Sequence, residues 1–506
     1  MKIITMHHIL GNKVLEYDVD DRGVIVDERE IDRTVNHKPN IADWVKEHMV
    51  FWYDMSKPVD VYVPGVTYAN PFVDGGGKLT YDNAINKCII THTPTNNNNI
   101  AFWQIIIKPL QYVESYKIRV TGLPEGFTMK GRFGYASIQI TSDGEYDIPE
   151  YKNSSTTNSS YPGFYLAGDN VNDVDCNIVV EEIPTKQSVP TNEILKANPY
   201  LQDHSGNNRP LKLNNFLFAA MSGVGGYELN WTDQSIWARF LGSRFNGAIE
   251  PHKLTVTSAL GSYAIMETKV PSYAKKFKVK VSGVIDEIVG YEYTDTKGVK
   301  QRFDIREDGE YELPSNNVVE AYFNMGWKIL VNSYPHTCNI TIEQIPSYPN
   351  ALVTDGVDDY GVVGNLQQGV KVLFITINPF IDGKFIYDQR LTTTEPWLFA
   401  VFNDKGSIAY NSRNSNGKTY IDGTLNESTI VSALLNKKQI ITIVNNDVTG
   451  DKTKTPVFFS NTDHDSGWIS SAFYNSIGFD SVPTKQNDGF TEQDLIDYVL
   501  ENLITK

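Results

Sequence analysis

Apolar and polar residues alternate with a period of two along much of the chain. Tyr116-Lys117-Ile118-Arg119-Val120 and Phe277-Lys278-Val279-Lys280-Val281 put every second side chain on an apolar face, as a strand with one buried side requires. Continuous apolar runs, such as Val372-Leu373-Phe374-Ile375-Thr376-Ile377, Trp397-Leu398-Phe399-Ala400-Val401-Phe402 and Gln439-Ile440-Ile441-Thr442-Ile443-Val444, predict strands buried on both faces. Helical spacing is clearest at the end of the chain, where Leu495, Ile496, Val499, Leu500 and Leu503 fall on one face. Thr491 stands as the N-cap of that helix with Asp494 three residues on, a relative of the capping box. The pattern predicts an all-β protein with a short C-terminal helix.

One pattern occurs twice. Tyr116-Lys117-Ile118-Arg119-Val120-Thr121-Gly122 is matched by Phe277-Lys278-Val279-Lys280-Val281-Ser282-Gly283, and Asp143-Gly144-Glu145-Tyr146 by Asp308-Gly309-Glu310-Tyr311. Cys176-Asn177-Ile178-Val179-Val180 is matched by Cys338-Asn339-Ile340-Thr341-Ile342, and the copies lie about 162 residues apart. Turn signals every ~8–12 residues predict a small antiparallel β-sandwich in each copy. Inside the repeat, Asp-Gly sets a turn and the tyrosine opens the next strand. The functional alternative is a carbohydrate contact from Tyr146 or Tyr311.

Outside the repeats, Met49-Val50-Phe51-Trp52-Tyr53-Asp54 is an aromatic strand, and Asp203-His204-Ser205-Gly206-Asn207 is a turn. Ser222-Gly223-Val224-Gly225-Gly226-Tyr227 follows, and no helix succeeds a strand there as a dinucleotide loop would need. Val353-Thr354-Asp355-Gly356-Val357-Asp358-Asp359-Tyr360-Gly361 is a strand, a tight turn with Gly356 free to take positive φ, and a second strand. Ser476-Ile477-Gly478-Phe479-Asp480 ends a late strand. In this order the stretches resemble the concanavalin A-like (laminin-G-like) jelly roll. They resemble most the form found in structural proteins, tail or head appendages, of phages and prophages of gut Bacteroidales.

The resemblance implies a concanavalin A-like jelly roll interrupted by two homologous small β-sandwich modules. The expected division is an N-terminal attachment segment at 1–45, a first part of the roll at 46–84, and sandwich copy one at 85–184. A second part follows at 185–249, sandwich copy two at 250–346, and the main part of the roll at 347–506. The N-terminal segment is polar, with strand-like stretches at Val14–Asp20 and Gly23–Asp27, and carries too little apolar surface to fold alone.

Composition narrows the function classes. The chain has 506 residues with a net charge of −16, which argues against nucleic acid as a partner because phosphate binding needs clustered Lys and Arg. Three cysteines, Cys88, Cys176 and Cys338, form neither a disulfide framework nor a zinc pattern. No apolar run reaches ~18 residues, so membrane insertion by a helix is not expected. The first residues lack the apolar core of a signal peptide, and assembly into a virion released by lysis is the expected route to an exposed site.

The candidate metal ligands are Asp355, Asp358 and Asp359, three carboxylates at one turn that offer part of the six to eight oxygens calcium takes. The same side chains can instead cap the turn through Asx bonds. Jelly-roll glycoside hydrolases carry paired carboxylates in an E-x-D-x-x-E arrangement on a strand. The nearest run here, Glu492-Gln493-Asp494-Leu495-Ile496-Asp497, ends in Asp and lies on the predicted helix, so no catalytic residue is carried over. The expectation is a non-enzymatic virion protein with copies of itself, other virion proteins and a host surface glycan as partners. The alternative is a polysaccharide-degrading enzyme or its carbohydrate-binding module.

Overall fold

The computed structural model describes residues 4–10, 13–19, 25–32, 41–63, 73–74, 77–82, 87–92, 102–104, 114–133, 136–150, 163–167, 175–235, 237–239, 245–261, 265–268, 275–317, 326–364, 366, 369–380, 385–389, 399–402, 408–409, 417–426, 435–445, 456–460 and 468–504. These residues form an all-β protein of several antiparallel sheets with short helices. The body is a two-sheet sandwich whose strands come from three separated stretches. One sheet runs in the order Tyr200–Leu201, Leu211–Asn214, Tyr360–Val363, Val457–Phe458, Phe385–Asp388, Phe399–Phe402, Ile408–Ala409. The other runs Gly223–Val224, Leu352–Asp355, Ser470–Phe479, Val372–Pro379, Gln439–Val444, Lys418–Ile421, Thr424–Asn426, with Met49–Asp54 also paired to Ser470–Phe479.

Alternation along these strands fills the space between the sheets. Phe51, Tyr53, Leu373, Ile375, Ile377, Ile441 and Ile443 from one sheet meet Leu211, Leu213, Val363, Ile386, Tyr387 and Phe458 from the other. The opposite residues of the second sheet, Val372, Phe374, Ile440, Val444, Ile477 and Phe479, are apolar too, because two helices cover that face. The helix Glu492–Asn502 lays Leu495, Ile496 and Val499 on it, and its N-cap is a complete capping box between Thr491 and Asp494. The helix Ile41–His48 adds Trp44 and Val45. The expected boundary at residue 45 is therefore corrected. Trp44 is 4% exposed, so the body begins with this helix. Its eight residues are too few to show a clear period among polar neighbours.

Each module is a sandwich of two five-stranded sheets. In the first, one sheet runs Gly144–Ile148, Tyr116–Thr121, Cys176–Ile183, Lys87–His92, Gly77–Asp82, and the other Ala136–Ile140, Thr128–Phe133, Gly163–Ala167, Phe102–Gln104, Val73–Asp74. In the second, one sheet runs Gly309–Leu313, Phe277–Ser282, His336–Ile345, Lys253–Ala259, Phe245–Ile249. Its other sheet runs Lys300–Ile305, Ile288–Thr294, Gly326–Leu330, Met266–Thr268, Trp237–Arg239. Taken in chain order, the strand arrangement is the same in both modules. The expected cuts at 84 and 249 fall inside these sheets, since Val73–Asp74 and Gly77–Asp82 pair within the first module and Trp237–Arg239 and Phe245–Ile249 within the second. These are outer strands of the sheets, the first two of each module, where short segments carry little alternation to read.

Both modules enter and leave the body through adjacent strands. Val59–Val61 pairs with Lys186–Ser188 at the first. At the second, the Tyr348 N–H donates to the Gly225 carbonyl at 2.9 Å. A Cβ on Gly226 would lie 2.8 Å from the side chains of Tyr348 and Val353, so the glycine pair lets the two crossing segments touch. The Asp203 turn ties the first body strand to this region: its carboxylate accepts N–H bonds from Trp52, Ser205 and Arg209, each at 2.9 Å. Near the N-terminus, Ile4–Leu10, Lys13–Val19 and Ile25–Asp32 form a separate three-stranded sheet, one strand more than the sequence pattern predicts. Among the described residues no helix is long and apolar enough to cross a membrane.

Candidate functional site

The turn between Leu352–Asp355 and Tyr360–Val363 brings the three predicted carboxylates together: one oxygen from each of Asp355, Asp358 and Asp359 lies within 4.8 Å of the others. Gly356 takes φ 79° there, as expected. Asp359 is fully buried, and both its oxygens accept hydrogen bonds, Oδ1 from the Ser222 hydroxyl at 2.9 Å and Oδ2 from the Asp355 N–H at 3.0 Å. Asp355 Oδ1 accepts from the Val357 N–H at 2.7 Å, an Asx bond. Ser222 Oγ in turn accepts the Leu217 N–H at 2.9 Å, and Asn215 Nδ2 donates to the Asp358 carbonyl at 3.1 Å. The cluster thus fastens the loop before Gly223 to the turn after Leu352.

Burial pushes the Asp359 carboxyl up to about 7, and the neighbouring charges of Asp355 and Asp358 add to it against the two hydrogen bonds. For a calcium ion the fit is partial. Asp358 and the second oxygen of Asp355 remain, well short of six to eight ligands, while both Asp359 oxygens already serve the fold. The geometry is that of a carboxylate-capped turn.

Tyr146 and Tyr311 occupy equivalent places in the two modules. Each donates its hydroxyl to a carbonyl four residues back, Ser142 at 2.6 Å and Glu307 at 2.8 Å, while the ring packs against the module core. The aspartate of the same unit closes the neighbouring turn: Asp143 accepts the Gly122 and Leu123 N–H groups, each at 2.9 Å, and Asp308 accepts the Val284 N–H at 2.9 Å. The Asp-Gly-Glu-Tyr unit is therefore a hydrogen-bonded corner in which each tyrosine hydroxyl donates its proton to the backbone. Cys88 is buried in the first module with its thiol pushed up to about 12 by burial, and none of the three cysteines forms a disulfide.

Two cavities lie where the modules join the body, and neither was legible in the sequence. The first, about 220 Å³, is lined by Asp60, Tyr62, Glu181, Tyr200, Gln202 and Asp203 among others. The second, about 320 Å³, lies between the helix Asn192–Ala197 and the second module. There the Tyr227 and His252 rings stack 3.7 Å apart at 8°. Burial pulls His252 down to about 4, so it is neutral at pH 7. Asn192 anchors this junction by accepting the Val224 N–H at 2.7 Å and donating to the Val224 carbonyl at 3.1 Å. The partners come from positions 32 to 142 residues apart, so no local pattern announces them.

Comparison with known proteins adds little. No known protein family and no curated protein matches the chain. Among solved structures, vicilin from Corylus avellana (hazelnut) is similar at 8% identity, covering 55% of this chain and 85% of that one with a TM-score of 0.12. A likeness that weak carries no argument.

Proposed function

We propose that the protein is a non-enzymatic structural component of a phage virion, in a tail or head appendage, whose laminin-G-like body displays two sandwich modules toward host glycans or neighbouring subunits. The observation that supports this reading is the way the modules are carried. Both are threaded into one body through adjacent, hydrogen-bonded strands, so each projects as a folded unit without opening the body core. Two like modules per chain suit weak contacts repeated over several copies, where avidity multiplies single-site affinity by roughly 10²–10⁴. The N-terminal sheet is the segment assigned to attachment, against a second copy or another virion protein.

Immunogold labelling of the parent particles in negative stain tests the reading. Gold at a tail or head appendage is expected, and removal of residues 1–39, which ends before the Trp44 helix, should leave a folded protein that no longer enters the particle. Unlabelled particles overturn the virion assignment, and a monomer that shortens polysaccharide chains puts the enzyme reading in its place.

A further inference from the structure

The cavity between the first module and the body has a largely polar lining, with Val59, Ile194 and Pro210 as its apolar part. Asp60 comes from the outgoing strand, Glu181 from the last strand of the module, and Gln202 and Asp203 from the body. With Asn198 and Asn208 these make a wall of carboxylates and amides, and no Lys, Arg or His lines it among the described residues. Two half-buried tyrosines, Tyr62 and Tyr200, supply the aromatic surface. Asp60 and Gln202 are held in place before any ligand arrives. The Asp60 N–H donates to Gln202 Oε1 at 2.8 Å, Gln187 Nε2 donates to Asp60 Oδ1 at 2.9 Å, and Gln202 Nε2 reaches Asp60 Oδ2 at 3.4 Å. Asp203 accepts three backbone N–H groups, which fix its place in the wall, and the oxygens of Asp60 and Asp203 each keep further lone pairs for an O–H donor.

We infer that this junction cavity binds a neutral, hydroxyl-rich saccharide unit. The inference deepens the glycan-attachment reading above and rests on it. Carboxylates accept O–H donors, and amides both donate and accept, which matches vicinal hydroxyls that do both. Every charged side chain lining the wall among the described residues is a carboxylate, which disfavours a phosphate, sulfate or uronate. A metal ion is not favoured either, since Asp60, Glu181 and Asp203 do not bring three carboxylate oxygens into one cluster. The volume of about 220 Å³ corresponds to about seven waters at ~30 Å³ each, room for a single ring rather than a chain. Prearranged polar groups lower the ordering cost of binding. Because Glu181 belongs to the module while Gln202 belongs to the body, a bound sugar bridges the two and fixes how the module projects.

The test is titration of the full-length protein, by saturation-transfer NMR and calorimetry, with neutral gluco-, manno-, galacto- and xylo-oligosaccharides. Oligogalacturonate and spermidine serve as anionic and cationic controls. At least one neutral oligosaccharide should bind at one site per chain, and Glu181→Gln and Asp60→Asn should each weaken it by about tenfold, as loss of a charge-assisted hydrogen bond does. Unchanged melting of Glu181→Gln excludes unfolding as the cause, and Asp359→Asn, remote from the cavity, should bind as the parent does. Failure of every neutral sugar to bind, binding untouched by both cavity variants, or preference for either charged control overturns the inference. Labelled virions with no sugar binding defeat only the cavity, whereas sugar binding with unlabelled virions defeats only the virion assignment.

Discussion

At the scale of single residues, charge and hydrogen bonding meet at Asp359. Its folded carboxyl titrates about 7 against an ordinary value of 3.8, so between those pH values the folded state holds a proton that the unfolded chain has released. Stability from this group is greatest below pH 4 and falls as pH rises through the window, the reverse of a salt-bridged aspartate. Asp359→Asn removes the titration and keeps the Asp355 N–H bond through the amide oxygen, while the Ser222 hydroxyl loses its carboxylate acceptor at both pH values. Relative to the parent, the variant should melt higher at pH 8 than at pH 4.5, and calorimetric Tm values at the two pH values check it. As a turn cap the cluster should ignore EGTA and millimolar calcium. A calcium-dependent rise in Tm that Asp359→Asn abolishes would make it a cation site instead. Asp308 has the opposite sign: N–H bonds from Val284 and Gly283 hold it below its ordinary 3.8, so its contribution is present above that value and lost as pH falls below it.

At the scale of elements, the repeated corner is what makes each module close. Gly122 and Gly283 end equivalent strands with φ 82° and 85°, and a Cβ there would lie 2.3 Å from the Asn177 carbonyl oxygen or 1.9 Å from that of Asn339. The glycine thus packs against the backbone carbonyl of the Asn in the matched Cys-Asn pair, in both copies. Gly283→Ala should cost about 2–4 kcal/mol through a strained φ and a backbone clash. Tyr311→Phe, which loses only the hydrogen bond to Glu307, should cost about 1 kcal/mol and leave any glycan binding unchanged. Urea melts of the two variants give the comparison, and a larger loss for Tyr311→Phe would contradict this account of the corner.

At the scale of the whole molecule, the insertions divide stability as well as sequence. The second module has its own core, in which Trp231, Trp237, Tyr291 and Trp327 are fully buried. The body core draws no residue from it. Because the incoming and outgoing segments touch at Gly225 and Tyr348, replacing residues 229–345 with a short Gly-Ser linker should leave a folded body. Its melting transition should persist while the module's own transition disappears from the calorimetric trace. A body that fails to fold would mean that the junction at Asn192, Val224 and His252 is integral to it.

What is local and periodic can be read along the chain. Alternation at Tyr116–Thr121 and Phe277–Ser282 marks which side chains are buried, the Thr491 and Asp494 spacing marks a helix start, and matched turn units mark the duplication. Those signals are physical within a few residues, because a strand face or a cap is decided by neighbours along the chain. The rest comes from contacts between segments far apart in the chain, which the folded structure sets. It placed Trp44 in the body core, moved the module edges outward to Val73 and Trp237, and bonded the tyrosine hydroxyls to their own corners. It also set Asp60 beside Gln202, 142 residues away, and Ser222 beside Asp359, 137 residues away. Periodicity says that a residue faces a core or a solvent side, but not which distant strand lies opposite, and that pairing is settled by how the sheets pack.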